Sequence, residues 1–71
     1  MNMNDLIDRL RVEGVESWVV LDVEMVGEEV GLRLEVVIER DGKPGVRKTV
    51  WSTDLDDALK DLDRWLGRLG L

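Results

Sequence analysis

Two stretches of strict alternation constrain this chain more than any other feature. From Ser17 to Gly27, Val19, Leu21, Val23 and Met25 alternate with Trp18, Val20, Asp22, Glu24 and Val26. From Val30 to Asp41, Leu32, Leu34, Val36 and Ile38 alternate with Arg33, Glu35, Val37 and Glu39. A period of two puts each set on one side of a strand, so both stretches predict half-buried β-strands. A turn centred on Glu28-Glu29 joins them into a hairpin. Met25 then faces Leu32, Val23 faces Leu34, Leu21 faces Val36 and Val19 faces Ile38. On the other side Glu24 lies opposite Arg33 and Val20 opposite Val37. Every inward apolar residue meets an apolar partner, and a slip of one residue would destroy all four pairs.

The run Asp41-Gly42-Lys43-Pro44-Gly45 is dense in turn formers, and Val46 to Ser52 reads as a third strand. A tight Asp41-Gly42 turn would send Thr49 and Trp51 inward and point Arg47 at the core. A five-residue loop instead sends Val46 and Val50 inward, leaves Trp51 outside and sets Arg47 opposite Glu39. The longer loop is preferred. It turns Lys48 inward, which is tolerable only near an end or edge of the sheet.

Helical spacing brackets the strands. Leu6, Ile7 and Leu10 share one face of a short helix from Asn4 to Glu13, with Asn4 as its cap, Asp5 at its positive end and Gly14 as its stop. Thr53 opens the second helix. Thr53-Asp54-Leu55-Asp56 is close to a capping box, and Leu55, Ala58, Leu59, Leu62, Trp65, Leu66 and Leu69 follow at helical spacing. The expected fold is α+β: a two-layer α-β-β-β-α domain over residues 1–71. Both helices pack on one face of a three-stranded antiparallel meander, against Val19, Leu21, Val23, Leu32, Leu34, Val36 and Ile38.

This element order resembles the topology of double-stranded RNA-binding domains. Those domains grip phosphates with a lysine cluster at the start of the second helix. The matching positions here are Asp54, Asp56 and Asp57, so the resemblance covers topology and does not extend to RNA binding.

Composition narrows the chemistry. Among 71 residues there is no Cys and no His, which removes disulfides, thiolate zinc, Ser-His-Asp and Cys-His catalysis and histidine metal sites. Sixteen acids against ten bases leave a net charge of −6. Direct binding of nucleic acid or of an anionic membrane surface needs the opposite excess. No basic, apolar leader is present and no apolar run approaches ~20 residues, so a soluble cytoplasmic protein is expected. Ser17, Thr49, Ser52 and Thr53 have no adjacent base of suitable pKa. Asp54, Asp56, Asp57 and Asp61 read as helix capping and a solvated face, since no calcium-type loop surrounds them. The expectation is no enzyme, no cofactor and no metal.

What remains is the distribution of charge. Residues 1–41 carry 11 acids and 4 bases, whereas residues 42–71 carry 5 acids and 6 bases. No base lies between Arg11 and Arg33, where Glu13, Glu16, Asp22, Glu24, Glu28 and Glu29 stand. Asp22 and Glu24 project from one side of a strand roughly 6.7 Å apart, close to the spacing of successive phosphates. Trp18, Val20, Val26, Val37 and Trp51 lie on that same helix-free face. Aromatic residues within charge are the make-up of a protein-binding surface. Glu13, Trp18, Asp22, Glu24, Glu28, Glu29, Glu35 and Trp51 are therefore the expected contacts with a basic partner protein. In size and acidity the chain is similar to phage-encoded anti-restriction and anti-CRISPR proteins, which implies an inhibitor that presents carboxylates where phosphates would sit. The alternative is a structural domain, natural or engineered, that pairs with itself as a homodimer.

Overall fold

In the computed structural model, which describes residues 1–71 apart from the side chain of Val26, the order is α1 (Met3–Leu10), β1 (Val15–Val26), β2 (Glu29–Arg40), β3 (Lys43–Ser52) and α2 (Leu55–Arg68). The strands form an open antiparallel sheet in the order β1-β2-β3. The fold is thus the expected α+β meander. Leu6 and Leu10 of α1, Leu34, Val36, Ile38 and Val50 of the sheet, and Ala58, Leu59, Leu62 and Leu66 of α2 make one core. No polar side chain is buried among the described residues.

The hairpin register differs from expectation by two residues. The turn is Gly27-Glu28, so Val26 pairs with Glu29, Met25 with Val30, Val23 with Leu32, Leu21 with Leu34 and Val19 with Val36. Asp22, not Glu24, lies opposite Arg33. Glu24 lies opposite Gly31 and Val20 opposite Glu35. Gly27 has φ +64° and Glu28 does not take a positive φ, the signature of a two-residue turn with glycine first, whose twist suits the flanking strands. A Glu28-Glu29 turn would force a side chain into that left-handed position. A shift of two keeps every residue on its expected face.

The link between β2 and β3 is the tight Asp41-Gly42 turn, with Gly42 at φ +73°. The expected five-residue loop does not form, yet Val46 and Val50 still point inward and Trp51 outward. A bulge reconciles the two: Arg40 pairs with Lys43 and Ile38 with Val46, leaving Pro44 and Gly45 against Glu39. Proline donates no ladder hydrogen bond, so a bulge on an edge strand is its natural place. Arg47 consequently faces Val37, not Glu39, and half-buried Lys48 sits on the edge strand opposite Val36.

Both helix starts lie elsewhere than expected. Asn2, not Asn4, caps α1 in a reciprocal capping box with Asp5, and the helix ends at Leu10 instead of reaching Glu13. Asp54, not Thr53, caps α2 by accepting from the Asp56 N–H at 2.9 Å. In each case a side-chain acceptor just outside the first turn satisfies an otherwise unpaired amide. At the other end of α2, Arg9 donates to the Leu71 carbonyl at 2.7 Å and 3.1 Å and Arg40 donates to the Leu69 carbonyl at 3.1 Å. Two cations at the negative end of the helix dipole tie α1 and β2 to α2.

The helices are too short to cover the sheet. A 14-residue helix spans ~21 Å, whereas a 12-residue strand spans ~40 Å, and the long axis of the molecule is 42 Å. The far half of the β1–β2 hairpin therefore projects past the helical layer. Leu21 and Val23, expected in the core, are 48% and 79% exposed, and Met25 and Val30 beside them are 61% and 68% exposed.

Candidate functional site

The helix-free face of the sheet carries most of the expected contacts. Alternation places Glu16, Trp18, Val20, Asp22 and Glu24 of β1, Glu29, Arg33, Glu35, Val37 and Glu39 of β2, and Arg47, Thr49 and Trp51 of β3 on this outer side. Trp18 and Trp51 are each about half exposed, with Val20 between them. Six carboxylates thus share the face with two guanidiniums. Glu28 lies in the hairpin turn and Glu13 in the turn before β1. With the whole of β1 between them, ~40 Å of strand, these two acids do not join one site. Val26, also expected on this face, lies outside the described side chains.

Arg33 organises the centre, a role the residue pattern alone did not disclose. Its guanidinium bonds Asp22 directly, and its Nε lies 3.5 Å from Glu24 Oε2 and its Nη1 3.6 Å from Glu35 Oε2. The hydrogen bond to Asp22 is the main reason its pKa rises above the ordinary value. The charges of Asp22, Glu24 and Glu35 add to the rise and desolvation opposes it. The Trp51 indole N–H reaches over the central strand to donate to Glu24 Oε2 at 3.1 Å, and Thr49 Oγ1 donates to Glu35 Oε2 at 3.0 Å. Arg47 Nε stands 4.0 Å from Glu35 Oε1.

This network changes what the face can do. Asp22, Glu24 and Glu35 are held in place by donors of the same face and do not form a bare row of phosphate-like charges. Glu16, Glu29 and Glu39 have no ion-pair partner among the described residues and supply the outward-acting charge. Glu16 lies directly opposite Glu39, an unfavourable pairing that a cation from outside would relieve. The surface is thus a central pair of tryptophans with a fixed polar lattice between them and unpaired carboxylates at both ends. Tethered side chains lose little further freedom on docking, which favours binding.

Other concavities carry less. Glu16, Glu39, Arg40, Asp41 and Lys43 line a shallow open hollow of about 390 Å³ at the end away from the hairpin turn. Its charges are of mixed sign. No group of three acids is placed to hold a metal ion among the described residues, and no helix is long and apolar enough to cross a membrane.

Leu21, Val23, Met25 and Val30, on the opposite, inner side of the hairpin tip, form an uncovered apolar patch where alternation predicts Leu21 and Val23 to be core. Helix and strand lengths carried the signal, since neither helix can reach the tip. Comparison with protein-family models, with curated proteins and with solved structures finds no match to this chain.

Proposed function

We propose that the chain is a small, non-enzymatic protein-binding module whose outer sheet face docks on a basic surface of a partner protein. The observation that carries this reading is the half-exposed pair Trp18 and Trp51, on a face without helical cover and among six carboxylates. Tryptophan is the residue most often found at the energetic centre of an interface, and charge at the rim steers encounter. In its most concrete form the module is an inhibitor that covers a nucleic-acid-binding site of its target.

The test uses the tryptophans, because reversing Asp22 and Glu24 would set new cations against Arg33 and disturb the lattice itself. Affinity capture of partner proteins from a host lysate is compared for wild type, Trp18→Ala, Trp51→Ala and the double variant Asp8→Lys/Asp61→Lys. The last adds four units of positive charge to the helical layer and leaves the outer face unchanged. Each tryptophan variant is expected to weaken binding by roughly 2 kcal/mol, about 30-fold, and capture should fall at high salt. Release of the partner by an excess of duplex DNA would identify a nucleic-acid-binding target. Wild-type capture by both tryptophan variants, with loss in the helical-layer variant, would reject the outer face as the site.

A further inference from the structure

The two edges of the sheet are built differently. β3 is protected in the ways that soluble proteins commonly block edge pairing: it carries Lys43, Pro44 and Lys48 and a bulge beside Gly45. β1, the other edge, runs Val15–Val26 with no Lys, Arg, Pro or Gly, and its register with β2 is unbroken over twelve residue pairs. Its free backbone edge adjoins the uncovered apolar tip formed by Leu21, Val23, Met25 and Val30. An edge without proline, glycine or a bulge, beside an uncovered apolar face, is a template for another strand in any register that keeps Glu16, Asp22 and Glu24 from opposing one another.

We infer that β1 pairs with β1 of a second copy of this chain, antiparallel about a two-fold axis at Leu21, to form a continuous six-stranded sheet. This goes beyond the outer-face reading and uses a different surface. A second copy is the occupant because the strand is complementary to itself in one register. With Leu21 on the axis, Val23 faces the partner's Val19, and Ser17 faces the partner's Met25. On the outer side Asp22 faces the partner's Val20, and Glu24 faces the partner's Trp18. Among two-fold registers centred on residues 19 to 23, only this one sets no carboxylate directly opposite another. Centring on Val20 opposes Glu16 to Glu24, centring on Asp22 opposes it to itself, centring on Val23 opposes Asp22 to Glu24, and centring on Val19 opposes Glu16 to Asp22. The pairing also carries the bare tip of each copy to the end of the other where α1 packs along β1 and where Ile7 and Val12 are exposed.

Size explains why both features are needed. At ~25 cal/mol/Å² and ~1.5–3 kcal/mol per side chain, the four tip residues expose on the order of 150–300 Å² of apolar surface. A standard interface covers ~800 Å² per partner. The tip alone falls short, and an eleven-residue strand pairing along ~35 Å of edge adds backbone hydrogen bonds and side-chain contacts on both faces.

The chain has no native cysteine, so single cysteines read the register directly. In Leu21→Cys the two Cα atoms would lie ~4.5–5.5 Å apart, within disulfide range. In Val23→Cys they would lie about 14 Å apart, four residues out of step. Under mild oxidation Leu21→Cys is expected to convert to covalent dimer and Val23→Cys to remain largely uncrosslinked. Sedimentation equilibrium of the unmodified chain should give twice the 8.1 kDa chain mass, with dissociation reduced as salt screens the diagonal approach of the two Asp22 carboxylates. Val23→Lys, at an exposed tip position, should melt like wild type in dilute solution, where both are monomeric, and should fail to dimerise on concentration. A chain that stays at single mass from micromolar to millimolar concentration overturns the inference. So does a dimer that crosslinks through Val23→Cys in preference to Leu21→Cys. Because added salt should tighten this dimer but loosen a basic partner on the outer face, the two readings fail independently.

Discussion

Leu34→Ala is expected to destabilise the fold by roughly 2–5 kcal/mol, the range for removing a buried leucine and leaving a cavity. Leu34 is fully buried in the middle of the central strand, between Leu21 on one side and Val50 on the other, with the helices above it. A domain of this size without disulfides holds only ~3–5 kcal/mol from its core. Urea melts followed by circular dichroism should therefore show the variant largely unfolded at room temperature. Val23→Ala, two residues from Leu21 on the same inner face, is the internal comparison. At 79% exposure it should leave the midpoint of dilute protein nearly unchanged. Equal losses in the two variants would mean that the helices cover the whole hairpin and that the projecting tip is wrong.

The largest expected loss is that of Leu62→Asp. Leu62 is fully buried where α2 meets the sheet, and no buried polar group offers a donor among the described residues. The substitution removes the apolar side chain and confines a carboxyl to a dry site, at a cost of several kcal/mol. That exceeds the core's own contribution. The sign of the pH dependence follows from linkage. Burial raises the folded-state pKa of the introduced carboxyl above its unfolded value of about 3.9. The folded state then retains a proton that the unfolded state releases, and the deficit relative to wild type grows as pH rises above about 4. Circular dichroism should show the variant unfolded without urea at pH 7 and partly refolded at pH 3.5, still short of wild type because a protonated carboxyl does not replace the lost leucine. A deficit independent of pH would place residue 62 in contact with water.

Leu34 and Leu62 also mark what was legible from residues alone. Within the stretches it covers, alternation gives each described residue its correct face, because in and out depend only on parity. Parity is blind to a shift of two, so the Gly27-Glu28 turn was missed although the face of Leu34 was not. The bulge at Pro44-Gly45 escaped for a related reason. One extra residue on β3 exchanges the faces a tight turn would give, so the right orientation of Trp51 came with the wrong loop. The capping residues moved by one or two positions, since Asn2 and Asn4, or Thr53 and Asp54, are chemically alike as acceptors. Coverage was the real omission. Alternation shows which side of a strand is apolar and says nothing about whether a helix is long enough to reach it, so Leu21 and Val23 were assigned to a core that ends before them. On the outer face, Arg33 and Glu24 were paired from the wrong register. The longer reach of arginine still brings them to 3.5 Å while Asp22 takes the direct bond.

The outer face of the sheet is the surface proposed to meet a basic partner, and the chain's three tryptophans provide the most direct measurement. Trp18 and Trp51 lie on that face, whereas Trp65 lies on α2 and packs against the core. A proton–nitrogen correlation spectrum therefore contains two indole reporters on the proposed site and one on the other layer. Titration with a synthetic lysine-rich peptide should move the Trp18 and Trp51 indole signals together and leave that of Trp65 in place. For Trp51 the change should include loss or strengthening of its hydrogen bond to Glu24. Movement of Trp65 with Trp18 and Trp51 unchanged would place cation binding on the helical layer, beside Asp61 and Asp63 of α2, and contradict the proposed site.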